Sequence, residues 1–231
     1  MEYIVEKRIH NFNELHEVFS EYRKDNIWLF RGHSDSNWKL IPKVAREPYG
    51  EQRDEVFFNS WKRRAKEFLP TVIDDWDFLS ISQHHGLATR LLDWTFNPLV
   101  AAFFAVQHFR ECDACIFAYR NNMDLITEAF NSPFEVQGIR KFKPNASAKR
   151  ITSQGGIFTI HNPPSLDLQE NLAEGCKLEK IIIDKSYRRE LRFELNQYGI
   201  NDLNLFPDLD GLSQHVNFYM ENRLFWTSQI E

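Results

Sequence analysis

The sequence has no surplus of positive charge. Its 28 lysines and arginines stand against 33 aspartates and glutamates, a net charge of −5. Non-specific binders of nucleic acid draw their affinity from counterion release at a basic surface, so any nucleic acid here must be held by a local patch. Cysteine is scarce, and its count of three is odd, which makes a poor disulfide framework. Long apolar runs are missing: no window approaches the ~20 apolar residues of a membrane-spanning helix. The opening Met1-Glu2-Tyr3-Ile4-Val5-Glu6-Lys7-Arg8 lacks a hydrophobic signal core. The expected compartment is therefore the cytoplasm, with no membrane partner. Glycine and proline, nine each, are too few for a linker-rich or collagenous chain. There is no internal repeat, no Walker A loop, no G-x-G-x-x-G, no H-E-x-x-H and no G-x-S-x-G.

What is abundant is aromatic. Twenty phenylalanines, seven tyrosines and six tryptophans make 14% of the 231 residues. Such a chain buries a core and is not disordered. Helical spacing is expected over residues 11–24, with Asn11 or Asn13 as cap, and over 51–69, with Val56, Phe57, Trp61, Ala65 and Phe68 on one face and Pro70 as the stop. Further helices are expected at about 73–85, ended by Gly86; from Asn97-Pro98 through the apolar 99–109; over 186–198, ended by Gly199; and from Pro207 or Gly211 to about Arg223. Short apolar runs read as strands at 27–30, 38–41, 114–119, 156–161 and 178–184. Residues 138–150 carry Arg140, Lys141, Lys143, Lys149 and Arg150 without one acid, and read as a mobile loop. No linker divides the chain, so the reading is one α+β domain with a helical first half.

Four stretches carry polar groups among apolar flanks. In Phe30-Arg31-Gly32-His33, an arginine ends an apolar strand and needs an anion or a rich set of acceptors. Arg31 either grips a phosphate or carboxylate or pairs with an internal acid such as Asp93, and Gly32 lets a ligand or another backbone approach. In the run from Gln83 to Thr95, polar groups converge on the mouth of the helix at Asn97, where free N–H groups attract anions. Here Arg90 and Asp93 sit at near-helical spacing, and at most one of His84 and His85 faces a site. Gln154-Gly155-Gly156 precedes a strand, as a close backbone approach or a hairpin turn would require. Asp208 reads as an N-cap, with a metal held by Asp208 and Asp210 the weaker option. Cys112 and Cys115 sit beside Glu111 and Asp113, with Cys176 far away, which fits a structural role better than zinc or redox chemistry.

Taken in order, Phe30-Arg31-Gly32, Gln83-His84-His85-Gly86, Thr89-Arg90-Leu91-Leu92-Asp93-Trp94-Thr95 with Asn97-Pro98, Gln154-Gly155-Gly156-Ile157-Phe158 and Leu205-Phe206-Pro207-Asp208-Leu209-Asp210-Gly211 resemble the FRG domain. The resemblance spans about residues 28–212 of a single domain covering 1–231, with a last helix to about 223. A weaker resemblance is to the ADP-ribosyltransferase superfamily, which holds NAD in a split α+β core. It implies a helical first half packed on a split mixed β core. Arg31-Gly32 would match the first element, residues 89–95 and the alanine-aromatic helix after them the second, and Gln154 the third, where a glutamate is usual. The implied catalytic set is Arg31, Thr89, Gln154 and Asp93. The implied NAD-binding set is Gly32, His33, Gln83, His84, Arg90, Trp94 and Arg150, with no metal.

Two functional classes lead, and a third trails them. One is an NAD-using transferase or NAD hydrolase, acting on a protein or nucleic-acid acceptor as a toxin or anti-phage effector would. The other is a non-catalytic module for a nucleotide or nucleic-acid end, with the basic stretch from Arg140 to Arg150 along the strand. A metal-dependent nuclease built on Asp93, Asp208 and Asp210 ranks last.

Overall fold

The run Ala-Cys-Ile-Phe-Ala-Tyr-Arg at 114–120 is apolar on both alternating faces, and it forms an interior strand buried on both sides. The computed structural model describes residues 5–24, 27–50, 53–69, 71–72, 74–120, 125–126, 132–143 and 156–222. Its strands are β1 (Val5–Ile9), β2 (Trp28–His33), β3 (Leu91–Thr95), β4 (Ala114–Arg120), β5 (Leu125–Ile126), β6 (Gly138–Phe142), β7 (Gly156–Asn162) and β8 (Lys177–Ile183). Its α-helices are α1 (Phe12–Tyr22), α2 (Asp54–Ala65), α3 (Asp75–His84), α4 (Pro98–Val106), α5 (Arg188–Gln197), α6 (Asp202–Leu205) and α7 (Leu209–Glu221). The strands form one mixed sheet in the order β1-β8-β4-β2-β3-β7-β6-β5, so the fold is α+β. Among the described residues no helix is long and apolar enough to cross a membrane.

The sheet is nearly cut in two. β2 pairs β4 over six residues and β3 pairs β7 over five, but β2 meets β3 at the single pair Phe30–Thr95. Beyond that bridge the two strands part. On one side of the cut, α1, α4 and α5 cover one face through Leu15, Phe19, Phe103 and Leu191, packed on Phe30, Ile116 and Ile181. On the other side, α2 and α3 bring Phe58, Phe78 and Leu79 onto Leu91, Phe142 and Ile160. The opposite face of the sheet buries Leu92, Trp94, Phe117 and Tyr119 beneath Leu40 and Leu168.

Local chemistry sets the helix ends. Asn11, Asp74, Asn97 and Asp208 each accept a backbone N–H in the first turn of α1, α3, α4 and α7. Gly86 and Gly199 follow α3 and α5 at positive φ.

Several expectations are corrected. β2 does not stop before Arg31 but runs through His33, because β4 pairs it that far. Residues 38–41 form no strand; Leu40 is held by loop contacts to Asp167 and Leu168. On α2 the buried stripe is Phe58 and Ala65 with Trp61 alongside, while Val56, Phe57 and Phe68 are exposed. Asp54 fixes that rotation, since it lies on the same stripe and pairs with buried Arg90. Residues 138–142 of the expected loop are a strand on β7; Lys149 and Arg150 lie outside the described residues. Strand β1 carries one charged residue after another and has no apolar pattern to betray it. It is an edge strand, and Glu6 and Lys7 meet Lys180 and Glu179 on β8.

One buried chain makes the fold sensitive to acid. Trp94 Nε1 donates to Thr159 Oγ1 (3.1 Å), which bonds His161 Nε2 (3.0 Å), and His161 Nδ1 bonds the Leu166 carbonyl (2.7 Å). The chain closes only with neutral His161 donating through Nδ1. Burial pushes its pKa down from 6.5 to about 4. A depressed histidine pKa leaves stability intact above pH 6.5 and removes it as pH falls toward 4. The expected loss across that window is about 3 kcal/mol. Denaturant unfolding between pH 4 and 7 should show it, and His161→Gln should flatten the profile by that amount; an unchanged slope in the variant would contradict the assignment.

Candidate functional site

Where β2 and β3 part, a cleft of about 500 Å³ opens. Phe30 to Ser34 and Leu91 to Thr95 border it, α3 contributes Ser80, Gln83 and His84, and α4 contributes Ala101 and Phe104. Trp38, Lys43 and Arg46 come from the segment after β2, Phe206 from the turn before α7, and Gly156 from the start of β7. The cleft thus sits at the break in the sheet, where backbone groups are free of ladder partners.

Arg31 spans the break. Its Nη1 donates to the Asp93 carbonyl at 2.8 Å and approaches Asp93 Oδ2 at 3.5 Å, and its Nε donates to His33 Nε2 at 3.0 Å. Of the two roles open from sequence, pairing with Asp93 is present, mostly through the backbone carbonyl. The carboxylate itself is 61% exposed and faces the cleft. Nη2 of Arg31 has no partner among the described residues. His33 accepts from Arg31 and is buried, and burial with the nearby Arg31 and Arg46 charges drives its pKa well below the usual 6.5. It is neutral and orients the guanidinium.

Asp93 is held in turn. Gln83 Nε2 donates to Asp93 Oδ1 at 2.6 Å, and the Thr89 hydroxyl donates to Gln83 Oε1. One hydrogen-bonded path therefore runs Thr89–Gln83–Asp93–Arg31–His33. Gln83 and Asp93 touch the cleft; Thr89 is buried behind them and acts through Gln83.

The other expected residues divide. His84 lines the cleft and His85 caps α3 away from it. Arg90 does not pair with Asp93. Its guanidinium forms a two-bonded pair with Asp54 (2.7 and 2.8 Å) and stacks on Phe134 outside the cleft. Trp94 borders the cleft, but its indole is in the core against Tyr119. Gly32 is required by protein, not ligand: a Cβ there would lie 2.0 Å from the Ala101 carbonyl oxygen of α4. Gln154 and Arg150 lie outside the described residues, although Gly156, two positions past Gln154, starts β7 opposite Thr95. Asp208 caps α7 through Gly211 N–H (2.8 Å). The turn it belongs to does serve the cleft, by setting Phe206 edge-on to Phe104 at 6.1 Å.

Sequence reasoning missed Trp38, Lys43, Arg46, Phe104 and Phe206. Two of them are cations on the 3-10 turn at 43–45 and just after it. Burial, with the neighbouring Arg31 charge, lowers the Arg46 pKa from 12.5 to about 10, and Asp93 opposes that shift. Among the described residues no group of three or more His, Cys, Asp or Glu is placed to hold a metal ion. Cys115 is fully buried, and burial pushes its thiol up to about 12, as an inert core cysteine requires.

No curated protein and no solved structure matches the chain. Residues 26–114, which supply β2, β3 and α2 to α4 and with them Arg31, Gln83 and Asp93, match the family model of the FRG domain.

Proposed function

We propose that the cleft binds NAD and breaks its nicotinamide–ribose bond, passing the ADP-ribosyl group to a macromolecule or to water. The observation that carries the reading is the break between β2 and β3, bridged by one residue pair and spanned by Arg31 opposite the exposed carboxylate of Asp93. When the C1′–N bond breaks, its electron pair goes to the nicotinamide ring and the positive charge passes to the ribose. A carboxylate held beside that ribose stabilises the charge as it develops. Among the described residues bordering the cleft Asp93 is the one carboxylate, and Gln83 holds its orientation. The acceptor oxygen then bonds C1′ and sheds its proton to solvent. Arg31, with Nη2 uncommitted, is placed to donate to ribose hydroxyls. Phe104 and Phe206 offer an apolar wall for a ring.

The test is labelled NAD incubated with pure protein alone, then with cell lysate, DNA or RNA. Nicotinamide release or labelled macromolecule is expected, falling at least about 100-fold in Arg31→Ala and Arg31→Gln. Circular dichroism confirms that the variants fold. Folded wild-type protein without turnover in any mixture would reject the catalytic reading, and binding of NAD without turnover would establish a nucleotide-binding module in its place.

A further inference from the structure

We propose that Arg46 and Lys43 form an anion subsite that takes a pyrophosphate, making the cleft selective for diphosphate-linked nucleotides over monophosphates; this rests on the nucleotide reading of the cleft. Both residues border the cleft. Their segment is anchored on each side. Val44 N–H donates to the Thr89 carbonyl (3.3 Å), Arg46 N–H donates to the Lys43 carbonyl (3.1 Å), and Leu40 is tied through both its backbone groups to the 167–168 loop.

The side chains are oriented by neutral acceptors. Arg46 Nε and Nη2 close on the single carbonyl of Ile41, at 3.0 and 2.7 Å. That fork fixes the guanidinium plane and leaves Nη1 without a partner among the described residues. Lys43 Nζ donates to the Gly86 carbonyl at 3.0 Å and lies over the Tyr49 ring, with two more protons to give. Neither residue has a carboxylate within ion-pairing distance among the described residues.

The charge balance points to the ligand. Among the described residues, three cations, Arg31, Lys43 and Arg46, border the cleft with one carboxylate, Asp93. Arg31 already lies 3.5 Å from Asp93 Oδ2. Two positive charges, the half-buried Arg46 and the exposed Lys43 at the cleft's rim, are left without a carboxylate among the described residues. Burial first, and the neighbouring Arg31 charge second, lower the Arg46 pKa. A pyrophosphate bridge supplies two negative charges on adjacent groups and acceptors for a guanidinium edge. A single phosphodiester supplies one charge, and a monophosphate ester, with about −1.5 to −2 charges, carries them on one phosphorus, so neither sets a separate phosphate on each of the two cations. Because Arg31 is committed at the Asp93 end, a ligand with its diphosphate at Arg46 and Lys43 would direct an attached ribose toward Arg31.

The experiment is calorimetric titration of the full chain, at low ionic strength, with ADP-ribose, AMP and adenosine in turn. ADP-ribose should bind at least about tenfold more tightly than AMP. In the double variant Lys43→Gln/Arg46→Gln that preference should vanish, with AMP affinity changed about threefold or less and the melting temperature retained. Equal binding of ADP-ribose and AMP by the wild type would overturn the subsite while leaving the nucleotide reading intact. So would a double variant that keeps the preference. Failure of the folded wild type to bind any of the three would overturn both. Tighter binding of a single-stranded oligonucleotide than of ADP-ribose, lost in the double variant, would assign the cations to a nucleic-acid backbone and overturn the diphosphate assignment.

Discussion

Gly32→Ala should be among the most damaging single-methyl additions to this chain. The added Cβ would sit 2.0 Å from the Ala101 carbonyl oxygen and 2.5 Å from the Ala105 nitrogen. Both are backbone atoms of α4, so no side-chain rotamer relieves the contact. Relief requires α4 to lift off β2. That helix buries Val100, Ala101, Ala102, Phe103, Ala105 and Val106 in the largest core cluster, and the lift would loosen every one of those contacts. The expected cost is about 3 kcal/mol or more, the upper range for overpacking, or a fall in melting temperature of about 10 °C for a chain of this size. Two controls separate this cause from others. Ala101→Gly should not rescue Gly32→Ala, because the clash is with a carbonyl that glycine keeps. Gly86→Ala, where nothing lies within 4 Å of the added Cβ but φ is +91°, should cost only about 1–2 kcal/mol from backbone strain. Thermal unfolding of the three variants decides the matter: a Gly32→Ala protein that melts like wild type would mean that β2 and α4 are not packed this closely.

The glycine of the Phe30-Arg31-Gly32 motif thus serves the fold, and its neighbour Arg31 borders the cleft. Sequence alone marked both positions without being able to divide the roles, because either a ligand or a backbone can demand a glycine. The same ambiguity runs through the second motif. Gln83 and Asp93 face the cleft, while Thr89 supports Gln83 from behind and Arg90 turns away to anchor α2 through Asp54. Thr89 and Arg90 lie in the turn between α3 and β3, and which of them turns toward the cleft follows only once that turn's contacts are known. Helix ends were the most legible feature, since caps at Asn11, Asn97 and Asp208 and stops at Gly86 and Gly199 act within a few residues. Strand β8 was legible from its three consecutive isoleucines, which are buried in the sheet. β1 was not, because an edge strand carries charge for the sake of solubility and offers no alternation to detect. Lys43 and Arg46 were invisible for a different reason. Nothing distinguishes a basic residue on a short turn until tertiary contacts place that turn beside a cleft. The break between β2 and β3 was expected only from a resemblance, and it is the feature around which every cleft residue is arranged.

If that arrangement is catalytic, Asp93→Asn should separate turnover from binding. The substitution keeps the shape of the side chain and an oxygen to accept from Gln83 Nε2, now 2.6 Å from Oδ1. It removes the negative charge beside the proposed ribose site. The carboxylate is 61% exposed and lies 3.5 Å from Arg31, so its loss should move stability by less than about 1 kcal/mol. Turnover should respond far more, because an interaction with charge that grows at the transition state lowers kcat without a matching loss of ground-state affinity. A fall in kcat of about 100- to 1,000-fold is expected for nicotinamide release. Affinity for ADP-ribose should hold or improve, since a negative charge has been removed from a cleft that binds an anion. Gln83→Ala, which leaves the carboxylate present but unoriented, should lower kcat by a smaller factor, about tenfold. Steady-state kinetics of nicotinamide release, set beside calorimetric affinities for the same proteins, measures both arms. An Asp93→Asn protein with wild-type kcat would remove Asp93 from the chemistry. Equal losses in kcat and in affinity would make it a binding residue, and the charge that develops on the ribose would then need another acid from the chain.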